Sequence, residues 1–189
     1  MKHDIPQLRL SHMGIFVRDV ERMAAFYKEA LGFVETDRGP ANGQYVVFLT
    51  RSPSAHHQLV LSSGRPDSSG ETHAIQQISF MTESLEDLRR MHRIVAARDD
   101  VSDISPRDHG NAWSLYFRDP EVNRIEVYID TPWHIAQPHH VTLDLSLNDA
   151  EIYRRTEARV LADPTFKPMP ERTREQIEVL RDAGIQVRP

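Results

Sequence analysis

The sequence predicts an α+β fold. It reads as two tandem copies of a strand–helix–strands unit, followed by a proline-punctuated extension with short helices. Three observations predict it. The chain has 189 residues, 39% hydrophobic and 27% charged, the size and composition of a folded chain with a real core in one domain or two small fused units. An apolar and capping pattern near the start returns 65 residues later, placing His12 against Gln77. Beyond Pro132 the pattern stops, and Pro138, Pro164, Pro168, Pro170 and Pro189 break the chain.

The elements follow in order. Ser11 to Val17 and Gln76 to Thr82 are short apolar, β-branched runs that read as strands. Asp19 and Ser84 then stand as helix N-caps, and Ser84 with Asp87 has the S-x-x-D form of a capping box. Val20, Met23 and Phe26 match Leu85, Leu88 and Met91 at helical spacing, and Gly32 closes the first helix. Tyr45 to Leu49 matches Trp113 to Phe117 as a second strand. His57 to Leu61 matches Glu126 to Asp130 as a last one, after the offset has drifted from 65 to 69. Each copy therefore reads strand, helix, then two or three strands, with a Ser/Gly/Pro-rich joint from Ser63 to Glu71. In the extension, the stretch Ser146 to Asp149 caps a helix running to about Leu161, and Thr173 caps another ending near Gly184. The extension is expected to wrap the domain or mediate self-association.

Composition removes several classes of function. There is no cysteine, hence no disulfide, thiolate metal site or cysteine nucleophile; the ten histidines, with Asp, Glu and Tyr, must do any metal or proton chemistry. Net charge is −5, and the basic residues are nearly all scattered Arg, with Lys2, Lys28 and Lys167 the only lysines. A nucleic-acid groove needs a clustered basic excess, so no nucleic-acid partner is expected. Apolar runs are short, Val46 to Leu49 being typical of the longest, and no apolar leader precedes Leu8, so no membrane partner and a cytoplasmic location are expected. No nucleophile-elbow, Walker or dinucleotide motif occurs.

A tandem repeat can bring equivalent side chains from its two copies into one cleft. The first strands contribute His12 and Gln77, and the matched last strands His57 and Glu126. All four can offer an uncharged or anionic donor atom to a divalent metal. Taken singly, each has a plainer reading as a hydrogen-bonded core or surface residue. Glu126 lies among apolar neighbours, so its charge needs a metal or a nearby Arg. His56 and His57 are adjacent and, in a strand, point to opposite faces; the repeat favours His57. His73 and His92 have no partner in the other copy, and His92 is expected on an exposed helix surface. His134, His139 and His140 sit among prolines and are expected in ordinary surface or packing roles.

Leu10 to Asp19, then Ala25, Phe26 and Tyr27, then Leu31, Gly32 and Phe33 resemble the opening of vicinal-oxygen-chelate proteins. Tyr116 to Tyr128 resembles the closing motif of that superfamily, with Val122 in place of its usual Gly. The resemblance covers about residues 8–135, in modules of about 8–63 and 74–130, and leaves 136–189 as a C-terminal extension. Within the superfamily the likeness is to type I extradiol ring-cleavage dioxygenases, to which Asp108, His109 and Gly110 before Tyr116 add. What it implies is a pair of βαβββ modules forming a metal-binding cup. The implied metal set is His12, Gln77 and Glu126, with Gln77 standing where these dioxygenases have His. His57 matches the acid–base histidine, and His109 and Tyr116 match groups that hydrogen-bond substrate or intermediates.

Gln is a harder and weaker donor than imidazole for Fe(II). Some glyoxalase I enzymes nevertheless use Gln as a ligand, and His57 turning onto the metal is the other way to complete the set. The resemblance therefore implies a divalent metal, Fe(II) first and Mn, Zn or Ni as alternatives. The expected partners are a small aromatic substrate and O₂, with a homodimer as a further expectation. The expected activity is ring-cleaving oxygenation of a catechol-like diol. The alternatives are a glyoxalase-like isomerase, epimerase or lyase, and a metal-free small-molecule-binding protein.

Overall fold

The computed structural model describes residues 10–41, 43–66 and 75–184. The first copy runs β1 (Met13–Val17), α1 (Val20–Leu31), β2 (Val34–Ala41), β3 (Gln44–Thr50) and β4 (Leu59–Ser63). The second runs β5 (Ile78–Met81), α2 (Leu85–Ala96), β6 (Ser102–Asp108), β7 (Ala112–Arg118) and β8 (Arg124–Asp130). Each copy therefore has three strands after its helix. The strands least visible in the sequence are β2 and β6, polar and proline-bearing, each with a register shift against its neighbour. Part of the joint expected from Ser63 to Glu71, and His73, lie outside the described residues.

The caps act as their residue types dictate. Asp19 accepts from the Arg22 N–H, and Ser84 from the Asp87 N–H. Gly32 takes the left-handed conformation, with φ 66°, that ends α1. Met23, Phe26 and Tyr27 of α1, and Leu85 and Leu88 of α2, are buried.

The first sheet has the order β1-β4-β3-β2; the second has β5-β8-β7-β6, extended at the β6 edge by β10 (Val141–Thr142). In each copy the first and last strands are parallel neighbours. The register corrects the equivalence of His57 with Glu126. Met13 pairs with Leu59 and Ile78 with Ile125, so Leu59 corresponds to Ile125 and Glu126 to Val60. The β3–β4 and β7–β8 ladders agree: Phe48 opposes Val60, as Tyr116 opposes Glu126. The matched stretch had slipped by three residues, and an odd slip exchanges the two faces of a strand.

The extension folds back on the second copy. It adds β9 (Trp133–His134), β10, α3 (Asp149–Leu161), β11 (Lys167–Pro168) and α4 (Met169–Asp182). Asn148 caps α3 as expected, accepting from the Glu151 N–H. The last helix starts at Met169 rather than after Thr173: Pro170 is tolerated in its first turn, and the Met169 N–H donates to the Pro132 carbonyl. Trp113 donates its indole N–H to the buried Thr156 hydroxyl of α3 at 2.9 Å, and its ring meets Tyr153 edge-on at 4.7 Å. Gly110 permits this docking. Its φ is +80°, and a Cβ there would lie 2.6 Å from the Ile135 side chain. Among the described residues, no helix is long and apolar enough to cross a membrane.

Candidate functional site

Alternation builds the site on the open face of the second sheet. In β7, Trp113, Leu115 and Phe117 enter the core, which leaves Ser114 and Tyr116 on the other face. In β8, Ile125 and Val127 enter the core, which leaves Glu126. Ser79 opposes Glu126 across the β5–β8 ladder. Glu126 is 8% exposed, and its carboxylate accepts four hydrogen bonds. Oε1 takes the Ser114 hydroxyl at 2.8 Å and the Tyr116 hydroxyl at 2.5 Å. Oε2 takes the Ser79 hydroxyl at 2.6 Å and the Gln77 amide at 2.9 Å. Among the described residues Glu126 forms no ion pair, so a nearly buried charge is met by dipoles alone.

The chain of contacts continues to His109. The Tyr116 oxygen lies 3.0 Å from His109 Nε2, and His109 Nδ1 lies 2.7 Å from the His139 carbonyl. A carbonyl can only accept, so His109 Nδ1 carries a proton. Tyr116 then holds one proton between His109 and Glu126 and can hand it along the chain. Burial, then the bond to Glu126, pushes the Tyr116 hydroxyl well above the usual phenol pKa, so it is a proton donor rather than a phenolate. The Arg124 guanidinium lies over its ring, 4.3 Å from the centroid.

His12 and His57 form a second group at the start of the first sheet. Their rings meet at 4.2 Å, and His57 lies 5.0 Å from the Phe48 ring. His56 does not point away from His57. Their Nδ1 atoms are 3.0 Å apart and both rings contact Phe48, because they sit in the turn before β4, where strand alternation has not begun. Burial, then the neighbouring His12 and His56, lowers the His57 pKa and favours a neutral base. His92 is half-buried rather than exposed.

A cavity of about 460 Å³ is lined by His12, Arg51 and Gln58 of the first copy and by Ser79 and Met81 of the second. Gln77, His109, Tyr116 and Glu126 are thus brought into one hydrogen-bonded chain, and His12 and His57 into a separate ring contact. Among the described residues, no three His, Cys, Asp or Glu side chains are already gathered to hold a metal. The donor chemistry still fits a divalent cation. Ser114 and Tyr116 anchor Glu126 Oε1 inside the sheet. Oε2 faces Ser79, which lines the cavity, and Gln77. A cation there would replace the two donors on Oε2 and meet the carboxylate charge, with Gln77 turning its amide oxygen toward it.

Two serines, Ser79 and Ser114, complete the Glu126 shell without having been singled out in the sequence. Their signal was parity, since both share the face of Glu126. The His139 carbonyl carries no such signal, because every residue has one.

Residues 9–127 match the family described as Glyoxalase/Bleomycin resistance protein/Dioxygenase superfamily. Biphenyl-2,3-diol 1,2-dioxygenase 3 of Rhodococcus globerulus is 30% identical over 139 residues, covering 71% of this chain and 68% of that protein. Metapyrocatechase of Pseudomonas sp. strain CF600 is 30% identical over 142 residues, but the chain spans only 43% of its length. A glyoxylase/bleomycin resistance protein/dioxygenase domain from Frankia sp. EAN1pec superposes with a TM-score of 0.57 at 24% identity, over 67% of this chain and 94% of that one. The fosfomycin resistance protein FosX of Listeria monocytogenes, solved with Mn(II) and sulfate, gives 0.51 at 19% identity, over 65% and 93%. These likenesses to solved structures concern the fold.

Proposed function

The chain belongs to the glyoxalase/bleomycin resistance/dioxygenase superfamily, and from that premise we propose that it is a metal-dependent, extradiol-type ring-cleaving dioxygenase acting on a catechol-like diol. The observation that carries this reading is the chain from His109 through Tyr116 to Glu126, shared with Gln77 on one sheet face. It places a proton donor beside the carboxylate that would hold a metal, in a sequence 30% identical to a diol dioxygenase.

His12, Gln77 and Glu126 would hold the metal, Fe(II) first. Such a metal would supply a Lewis-acid charge that eases ionisation of the diol, and redox chemistry for reaction with O₂. The residues do the rest. His57, kept neutral by burial and by its histidine neighbours, takes a proton from a substrate hydroxyl. The Tyr116 hydroxyl donates to Glu126 and steadies the negative charge there, and His109 Nε2, bare beside it, can accept that proton as charge shifts along the chain. Both atoms of O₂ enter the ring-opened product, so no outside reductant is required.

The test is anaerobic loading with Fe(II), followed by a panel of catechols and measurement of O₂ uptake with appearance of ring-opened product. Uptake with at least one catechol is the expected result. No uptake on any of them, with metal bound, rejects the dioxygenase reading. Gln77 favours a second reading, an isomerase, epimerase or lyase that uses a harder metal to polarise a carbonyl. Turnover supported by Zn²⁺, Ni²⁺ or Mn²⁺ without O₂ would select it.

A further inference from the structure

We propose that the C-terminal extension is a working part of this site, with Gln137 and the His139 carbonyl as positioning groups that set the proton arrangement of His109. The proposal rests on the reading of His109 and Tyr116 as proton-transfer partners given above. The Gln137 amide donates to the His109 carbonyl at 2.9 Å and to Asn111 Oδ1 at 3.1 Å, while its own oxygen accepts from the His139 N–H at 3.0 Å. One side chain thus ties the turn bearing His109 to the segment of the extension whose carbonyl meets His109 Nδ1 at 2.7 Å. The residue before His109 is held from the same side. Asp108 is 3% exposed; it accepts from the Thr156 hydroxyl at 2.5 Å and pairs with Arg159, both on α3.

The consequence is chemical. An imidazole nitrogen facing a carbonyl must carry a proton, so the extension selects protonated Nδ1 and leaves Nε2 for Tyr116. A free histidine side chain favours the opposite tautomer. Without the clamp the ring is free to turn and to lose its bond to Tyr116. Packing of the extension alone would stabilise the fold without dictating which nitrogen of His109 is protonated.

The experiment uses the full chain labelled with ¹⁵N. Long-range ¹H–¹⁵N spectra of the imidazoles, at about pH 8 and thus above the ordinary histidine pKa, report the state of each nitrogen. A His109→Gln variant assigns the signals. Wild type is expected to show Nδ1 of His109 protonated. Gln137→Ala and the shape-conserving Gln137→Met are expected to lose that state while keeping a dispersed amide spectrum. With a catechol that the wild type turns over, both should lower kcat about tenfold and leave KM within about twofold. An unprotonated Nδ1 in the wild type overturns the proposal, as does its persistence in both variants. Should one variant fail to fold, the wild-type spectrum and the other variant still decide. Failure of every catechol in the wild type rejects the dioxygenase reading and leaves the spectroscopic result standing, so the two failures are distinguishable.

Discussion

Glu126 and Val60 occupy the same place in the two copies, and so do Tyr116 and Phe48, Ser114 and Val46, and Ser79 and Gly14. The backbones repeat, but the open faces do not. In the second copy, two hydroxyls of β7 and one of β5 surround a carboxylate of β8. In the first, every one of those positions is apolar or bare; the Ser62 hydroxyl donates to Gln44 instead, and His12, His56 and His57 gather at the strand starts. The comparison teaches that duplication supplies two equivalent frames, and that chemistry is written into one of them by a few substitutions that leave strand pairing untouched. Val for Ser, or Phe for Tyr, fits the same half-buried pleat.

The comparison can be broken by exchanging residues between the frames. Glu126→Ala is expected to abolish metal-dependent turnover, a loss of at least about a thousandfold, whereas Val60→Ala should leave metal binding unchanged; steady-state rates and metal content of the two variants check this. Tyr116→Phe should lower kcat about a hundredfold by removing a proton donor, and the reciprocal Phe48→Tyr should change it little.

The turns between the last two strands differ as much as the faces. In the second copy Glu121, 5% exposed, reaches across to accept from the backbone N–H groups of Arg18 at 2.6 Å and Asp19 at 2.8 Å, just ahead of α1. The corresponding turn of the first copy reaches the other end of α1 instead, with Arg51 donating to the Leu31 carbonyl at 2.8 Å and the Thr50 hydroxyl donating to the Ala55 carbonyl at 3.0 Å. Glu121→Ala is therefore expected to cost about 2 kcal/mol in urea unfolding, because two N–H groups lose their acceptor. Val122, beside it, has φ 68°, a conformation unfavourable for a β-branched residue. Val122→Gly should stabilise the protein by about 1 kcal/mol, a shift that thermal unfolding would show.

The smallest expected effect lies on β2. The bond from Arg38, aided by Lys28, lowers the Glu35 carboxyl pKa to about 2. A carboxylate whose pKa falls on folding adds stability above its unfolded pKa, and that contribution is lost as pH falls toward the folded value. Wild type should therefore lose stability between about pH 4.5 and pH 2 more steeply than Glu35→Gln, by an amount small for a partly exposed ion pair. Acid unfolding curves of the two proteins give the comparison.

Helices α1, α2 and α3 were legible because caps and helical spacing are local signals, as at Asp19, Ser84 and Asn148. The repeat was legible at β1 and β5 for the same reason. The correspondence of the last strands was not. The turns 51–58 and 119–123 differ in length, and only ladder register shows that Glu126 matches Val60. Ser79 and Ser114 gain meaning only from the carboxylate they face, which depends on strand pairing. The contacts of the extension with His109 are a backbone carbonyl and an amide from Gln137, which carry no motif that a sequence shows. Its last helix began earlier than Thr173 because the chain pairing at Met169 comes from a distant residue, Pro132.

The central claim is that Glu126, anchored by Ser114 and Tyr116, is the carboxylate of a divalent metal site completed by Gln77 and His12. Anaerobic calorimetric titration of the purified full chain with Fe(II), and in parallel with Mn(II), tests it most directly. The account predicts about one equivalent bound by the wild type, with binding lost in Glu126→Ala and retained in Val60→Ala. Metal uptake undiminished by Glu126→Ala, or none by the folded wild type, would contradict it.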